Sequence, residues 1–362
     1  MSNREHGLCC CEYISDHGNR SHLLAICCDC KLIDETFERC ITCKSQPPDL
    51  MRKIGSMMSD RCRIPWCDGR GARKIEFSII IPTILIPIIF IIAAQGWLWT
   101  IITFIFLPIF LIMIQIKCLK HQIRTKFFLS WTISSLVFLL CVFEFEVVPY
   151  LEILFIENFV LMCFVSIMCL CGYFVKFNDG ILKNPNVSMS DVEYLRTNEQ
   201  TLINIEESSK CGICNIVQPA RCGHCRLCGQ CVLRRDHHCI WLDTCIGAKN
   251  HRTFIIGLLA MLIACIYGSM LTLTTICHPV LIFETVLIPD NCTDVYEDIY
   301  ISICYVSALY ALLIACLALL LLIQQSYLIC QNTTVQEFKR KQRGLYSKGI
   351  IINCYQFWCI SY

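Results

Sequence analysis

The chain has 362 residues, 56% of them hydrophobic and 17% charged, with a net charge of +2 and a mean hydropathy of +0.56. A soluble chain of this length would hold two or so domains; this composition excludes that and points to an integral membrane protein. The 31 cysteines run through the apolar stretches, the first 70 residues and one dense cluster. That spread predicts thiols, thiolate–zinc bonds or acylated cysteines at a reducing cytosolic face, not a disulfide scaffold.

Residues 1–76 read as a polar, cysteine-rich amino-terminal region without an apolar signal segment. Cys9-Cys10-Cys11, Cys28-x-Cys30 and Cys40-x2-Cys43 leave three readings open. They could form a four-thiolate zinc site from the last two pairs, sites of self-acylation, or free buried thiols.

A hydrocarbon core about 30 Å thick takes roughly 20 apolar residues as helix. Residues 77–175 supply four spans, 77–94, 97–116, 127–145 and 157–175, and two more follow at 254–276 and 299–323. Pro82 and Pro87 fall in the first, where membrane helices tolerate them. Only Gln95-Gly96 separates the first two, which predicts a tight helical hairpin. Lysine and arginine placement sets the orientation. Arg61, Arg63, Arg70, Arg73 and Lys74 precede the first span, and Lys117, Lys120, Arg124 and Lys126 lie between the second and third. Lys176 follows the fourth, and the tail holds Lys339, Arg340, Lys341, Arg343 and Lys348. The two longer loops of opposite parity carry only acids: Glu144, Glu146, Glu152 and Glu157, then Glu284, Asp290, Asp294, Glu297 and Asp298. Both termini and the cysteine cluster are therefore expected in the cytosol. Of four glycosylation sequons only Asn291 would be lumenal; Asn19, Asn186 and Asn332 should stay bare. In the fifth span Gly257, Ala260, Ala264 and Gly268 recur at helix-packing spacing.

After a polar linker over 176–210 comes the cluster at 211–254, CGICNIVQPARCGHCRLCGQCVLRRDHHCIWLDTCIGAKNHRTF. Cys211-x2-Cys214, Cys225-x2-Cys228 and Cys228-x2-Cys231 let two thiolates share one tetrahedral zinc. With His224, His238 and Cys245 there are ligands for two closed sites, each of three thiolates and one imidazole. These pairs alone leave the pairing open. A segment with so few large apolar side chains needs metal to fold. Two full sites leave Cys222, Cys239, His237 and His251 over. Cys222 reads as a packing residue. Cys239 follows Asp236 and His237, so a thiol stands beside an imidazole that a carboxylate can orient, the nucleophile–base–orienter arrangement. Zinc, Arg234 and Arg235 nearby favour its thiolate.

These residues resemble the DHHC-type protein S-acyltransferases, whose pattern is C-x2-C-x3-[RK]-P-x-R-x2-H-C-x2-C-x2-C-x4-D-H-H-C-x-W-x-N-x-C-x-G-x2-N. The match runs through Cys211, Cys214, Pro219, Arg221, His224, Cys225, Cys228, Cys231, Asp236, His237, His238, Cys239, Trp241, Cys245, Gly247 and Asn250. The resemblance implies an all-α polytopic membrane protein, here with six transmembrane helices, and a small cytosolic double-zinc domain between helices four and five. Extra amino-terminal spans and a cysteine-rich leader occur in some members. It further implies one zinc on Cys211, Cys214, His224 and Cys231 and a second on Cys225, Cys228, His238 and Cys245. Cys239 would then be the nucleophile that takes a palmitoyl group from palmitoyl-CoA and passes it to a cysteine of a substrate protein. His237 would be the general base and Asp236 its orienter. The partners implied are the bilayer, a fatty acyl-CoA and cysteine-bearing proteins, in an endomembrane such as Golgi, ER or plasma membrane. Nucleic acid is not expected, because the domain is tethered to a membrane and lacks a recognition-helix pattern.

The chain departs from the pattern at Gln218, Ile240 and Asp243, and at Asn178-Asp179-Gly180. The family's Thr-Thr-x-Glu reads as Thr333-Thr334-Val335-Gln336, with Glu337 one place late. Gln336 and Asp243 keep an alternative open, a catalytically weak scaffold whose zinc domain binds partners. The tail over 324–362 carries Tyr346-x2-Gly349-x3-Asn353-x3-Phe357, resembling the family's amphipathic carboxyl-terminal motif, in which the asparagine bonds backbone near the core.

Overall fold

The computed structural model describes residues 9, 11–15, 18, 20–23, 37–39, 41–42, 60–67, 71–120, 124–150, 153–178, 180, 209–282 and 286–360. The Cys28-x-Cys30 and Cys40-x2-Cys43 pairs, the Asn19 and Asn186 sequons and most of the linker lie outside these residues. The chain forms two compact units, residues 1–81 and 82–362. In the first, strands β1 (Glu12–Ile14) and β2 (Arg20–His22) pair antiparallel, as do β3 (Arg63–Ile64) and β4 (Arg73–Lys74). Arg63 joins the hairpins by pairing with Asp60 and covering the Tyr13 ring at 4.2 Å.

Helices α1 (Phe77–Ala93) and α2 (Trp97–Lys120) meet at Gly96, whose φ of +156° suits glycine. Helix α3 (Phe127–Val142) runs through a π-turn at Phe143–Val147, and α4 (Phe155–Phe177) follows. Glu144 and Glu146, expected at a loop, sit in that π-turn, where Asn158 donates to Glu144 at 3.1 Å. Beyond the cysteine-rich domain come α5 (His251–Ile276) and α6 (Ile299–Cys330). Among the described residues five helical stretches are long and apolar enough to cross a membrane: Trp97–Lys117, Phe127–Val147, Phe155–Phe177, His251–Ile276 and Ile299–Cys330. The sixth expected span is α1, apolar throughout but only 17 residues long. At about 1.5 Å per residue it reaches about 26 Å, short of a full hydrocarbon core.

Apolar side chains that no protein covers, such as Trp97, Phe106 and Ile109 on α2, are those a bilayer would cover. Inside, Ile86, Phe90, Phe128, Trp131 and Val306 form one cluster, with Trp131 donating to the Tyr310 hydroxyl at 3.0 Å. Helices α4 and α5 close against each other at a glycine: a Cβ at Gly257 would stand 2.8 Å from Cys171 Cβ. One helix on, Ser269 donates to the Ala308 carbonyl of α6 at 3.0 Å. The small residues of the fifth span thus serve helix packing.

The expected last span ended at 323, where Gln324-Gln325-Ser326 interrupt the apolar run. The helix instead continues to Cys330, because its backbone bonds are internal and do not depend on hydropathy. Its 32 residues extend about 48 Å, well past the core, and this overshoot reaches the cysteine-rich domain. At the opposite end of α5 and α6, β11 (His278–Ile282) and β12 (Val286–Asn291) form a hairpin, and a Cys277–Cys292 disulfide joins its base. Reading the cysteines as thiols missed this bond. Its signal was position, since both lie in a stretch without lysine or arginine, the side expected to be oxidising.

The α4–α5 contact is testable. Gly257→Val should lower the thermal unfolding midpoint in detergent, corresponding to about 1–3 kcal/mol of overpacking, while Gly212→Ala, with nothing within 4 Å, should leave it unchanged.

Candidate active site and paired metal clusters

Three short hairpins build the domain: β5 (Ser209–Lys210) with β6 (Val217–Gln218), β7 (Gly223–Cys225) with β8 (Gln230–Val232), and β9 (His237–Cys239) with β10 (Thr244–Ile246). In the second, His224 lies directly across from Cys231; in the third, His238 lies across from Cys245. Each cross-strand pair meets a Cys-x2-Cys turn. The ligand atoms of Cys211, Cys214, His224 and Cys231 lie within 4.8 Å of one another, and so do those of Cys225, Cys228, His238 and Cys245. His224 Nδ1 stands 3.7, 3.3 and 3.8 Å from its three sulfurs, and His238 Nδ1 3.7, 3.3 and 3.7 Å from its own. Tetrahedral zinc with Zn–S about 2.3 Å and Zn–N about 2.0–2.1 Å requires S···N of about 3.6 Å. Both clusters could therefore hold a metal ion, and three soft thiolates with one imidazole suit zinc.

A signal in the sequence fixes this pairing without any family. The spacing C-x2-C-x9-H-x6-C occurs at 211, 214, 224 and 231, then again at 225, 228, 238 and 245, offset by fourteen residues. The two clusters are one structural unit repeated.

The third hairpin also places the remaining candidates. Successive strand residues point to opposite faces. With His238 turned to the second metal cluster, His237 and Cys239 share the other face. Cys239 is buried there against Val175 and Ile246, with Trp241, Leu242 and Phe254 around it. His237 Nδ1 bonds Asp236 Oδ2 at 2.7 Å. Asp236 is 1% exposed and takes two further donors, Gln325 Nε2 at 3.2 Å on Oδ2 and the Val335 amide at 2.8 Å on Oδ1. Burial works to raise the Asp236 pKa, but the His237 bond, the neighbouring His251 ring and the Val335 amide hold it below the usual carboxylate range. Burial likewise works to lower His237, yet the Asp236 bond and then the Cys239 thiol bring it up to about 9. Cys222 lies apart, its thiol pushed up by burial to about 12, which suits packing. Gln325 was missed because it is distant in sequence and carries no motif. His251, left over by the ligand count, completes a chain to it at 2.9 Å. Val335, within the stretch read as Thr-Thr-x-Glu, reaches Asp236 by its backbone amide, which no side-chain pattern reports.

The departures have structural roles. Gln218 donates to Cys231 Sγ at 3.1 Å. Asp243 receives Arg124 at 2.7 and 3.0 Å and Lys176 at 3.1 Å, tying the domain to the starts and ends of α3 and α4. Burial would raise its carboxyl, but these two cations keep it below the ordinary range. Asn250, 1% exposed, donates to the Val175 and Cys245 carbonyls. The reading of Gln336 in place of the family glutamate is corrected by α7 (Val335–Lys339). Thr334 is its N-cap and Glu337 its third residue, closing a capping box. A box spans Thr-x-x-Glu, so Thr334 aligns with the first threonine, Val335 with the second, and Glu337 with the glutamate in register. Glu337 then pairs with Arg221 at 2.7 and 2.9 Å, both side chains buried. The Asn332 amide, heading a sequon, is held by Arg221, Arg234 and the Tyr346 carbonyl. In α8 (Ile350–Cys359) Asn353 donates to the Cys330 carbonyl at 2.7 Å, so the tail closes on the end of α6.

Two Cys3His clusters and an Asp236-His237-Cys239 line, in a small hairpin domain at the ends of membrane helices, suit a class of acyl-transfer enzyme. The DHHC palmitoyltransferase family model matches residues 204–342. The chain belongs to this family and is an integral membrane protein S-palmitoyltransferase. It is similar to palmitoyltransferase ZDHHC23-B of Danio rerio, 32% identical over 96% of this chain and 88% of that protein. It is also similar to palmitoyltransferase ZDHHC23 of Homo sapiens, 33% identical over 96% of this chain and 93% of that protein. Probable protein S-acyltransferase 15 of Arabidopsis thaliana matches a shorter region, 41% identical over 19% of this chain and 27% of its own length.

The corrected register makes a prediction. Glu337→Ala strands a buried guanidinium and should cost about 3–5 kcal/mol in thermal unfolding, whereas Gln336→Ala should cost well under half of that.

Proposed function

We propose that Cys239 carries the acyl group between palmitoyl-CoA and a cysteine of a substrate protein, with His237 as general base and Asp236 as its orienter. The observation that carries this is the placement of His237 and Cys239 on one strand face while Asp236 holds His237 Nδ1 at 2.7 Å. Nε2 is then the nitrogen left for the thiol. In the first half-reaction Cys239 gives its proton to His237, and its sulfur attacks the thioester carbonyl carbon. The C–S bond to CoA breaks, and CoA leaves as the thiol with the proton from His237. In the second, a substrate cysteine yields its proton to His237 and attacks the acyl-enzyme, and the proton returns to Cys239 Sγ. Both steps are thioester exchanges and need no oxidant.

Zinc on Cys211, Cys214, His224 and Cys231, and on Cys225, Cys228, His238 and Cys245, would supply folding free energy and neutralise clustered thiolates. The domain hangs at the ends of α4, α5 and α6, which suits a donor whose acyl chain lies among helices while CoA stays in water. The basic loops support a cytosolic placement of this face and of both termini, in an endomembrane. The Cys277–Cys292 disulfide at the opposite end supports the same orientation. Against the alternative of a catalytically weak scaffold stand the capping-box Glu337, paired with Arg221, and the two cations on Asp243.

Purified protein should take up labelled palmitate from palmitoyl-CoA in a hydroxylamine-sensitive bond. Cys239→Ser should abolish that label and keep its zinc, whereas Cys245→Ala should lose zinc, folding and label together. Equal labelling of wild type and Cys239→Ser would remove Cys239 from the chemistry.

A further inference from the structure

The overshooting end of α6 buries an uncharged polar residue, Gln325, only 3% exposed, directly behind the Asp236–His237 pair. A carboxylate offers acceptors only, so the Gln325 amide must turn its NH2 to Asp236, where Nε2 stands 3.2 Å from Oδ2. Its carbonyl then faces His251 Nε2 at 2.9 Å, and that nitrogen must carry a proton. His251 is itself 5% exposed and packed edge-on to Phe357, ring centroids 5.1 Å apart. The hydrogen bonds therefore run in one direction, from His251 through Gln325 to Asp236, and meet the bond from His237 on the same carboxylate oxygen.

We propose that Gln325 is a positioning residue for the acyl-transfer reaction, anchored by His251. It fixes the Asp236 carboxylate so that His237 keeps Nδ1–H on Asp236 and Nε2 toward Cys239. The proposal rests on the assignment of Cys239, His237 and Asp236 made above. The Val335 amide holds Oδ1; Gln325, on α6, is the side chain that holds Oδ2 and keeps the carboxylate from rotating away from α6. Its hydrogen bonds go to His251 and Asp236, so its effect passes through the carboxylate. It also couples the membrane helices α5 and α6 to the strand that holds the nucleophile.

The test uses the full-length protein in detergent and measures single-turnover acyl-enzyme formation from labelled palmitoyl-CoA, its half-saturating concentration and zinc per chain. Gln325→Met keeps the length and volume of the side chain without its hydrogen bonds. It should slow the maximal rate by about 10- to 100-fold, the scale of a misplaced catalytic group, with half-saturation and zinc unchanged. His251→Phe keeps the ring packed on Phe357 and should slow the reaction less. The double variant should be no slower than Gln325→Met alone, because both break one chain. A wild-type rate in Gln325→Met, multiplicative losses in the double variant, a shifted half-saturation or lost zinc would each overturn the proposal. Cys239→Ser run in parallel separates the two claims. If it is silent while Gln325→Met is unaffected, only the positioning role falls; if it labels, the nucleophile assignment falls.

Discussion

The alternation of one short strand governs this active site. His237, His238 and Cys239 are consecutive, and a pleated strand sends the middle side chain one way and its neighbours the other. Once His238 is committed to three sulfurs on one side, His237 and Cys239 have no freedom but to share the other. Neither hairpin has an apolar interior able to enforce that geometry alone. The second ligand cluster, which takes His238 and its cross-strand partner Cys245, holds the register of this strand, which is why so small a domain can place Cys239 beside His237.

The bundle contributes from the other direction. Asp243 is held by Arg124, just before α3, and by Lys176 at the end of α4, Asn250 by the end of α4, and Glu337 by Arg221 of the domain. Helix α6 reaches Asp236 directly through Gln325. Domain and membrane helices are therefore joined by polar contacts, half-exposed at Arg124 and Lys176 and buried at Asn250 and Gln325, and the buried ones are costly to break once one partner is removed. The tail adds a closing contact, Asn353 on the last turn of α6.

Much of this was legible in the residues. The spans at 97–116, 157–175 and 254–276 lie close to the observed helices because hydropathy reports lipid contact. The same index stopped α6 at 323, before Gln325, and its first span, 77–94, corresponds to α1, an apolar helix of 17 residues. The ligands and the Asp236-His237-Cys239 line could be named from spacing and chemistry, and the fourteen-residue repeat would also have paired the clusters. The hydrogen-bonding neighbours of Asp236 were not legible, since Gln325 and Val335 are brought to it only by the tertiary fold. The place of Glu337 needed helix geometry, because counting from the wrong threonine moves the motif by one residue.

The central claim is that two equivalent closed metal clusters build the domain that carries Cys239. Zinc X-ray absorption on the purified protein, with zinc counted per chain, tests it most directly. Two zinc ions per chain with an average shell of three sulfurs and one nitrogen, and no water oxygen, is the predicted result. A single zinc per chain, or an oxygen in the shell, would contradict it.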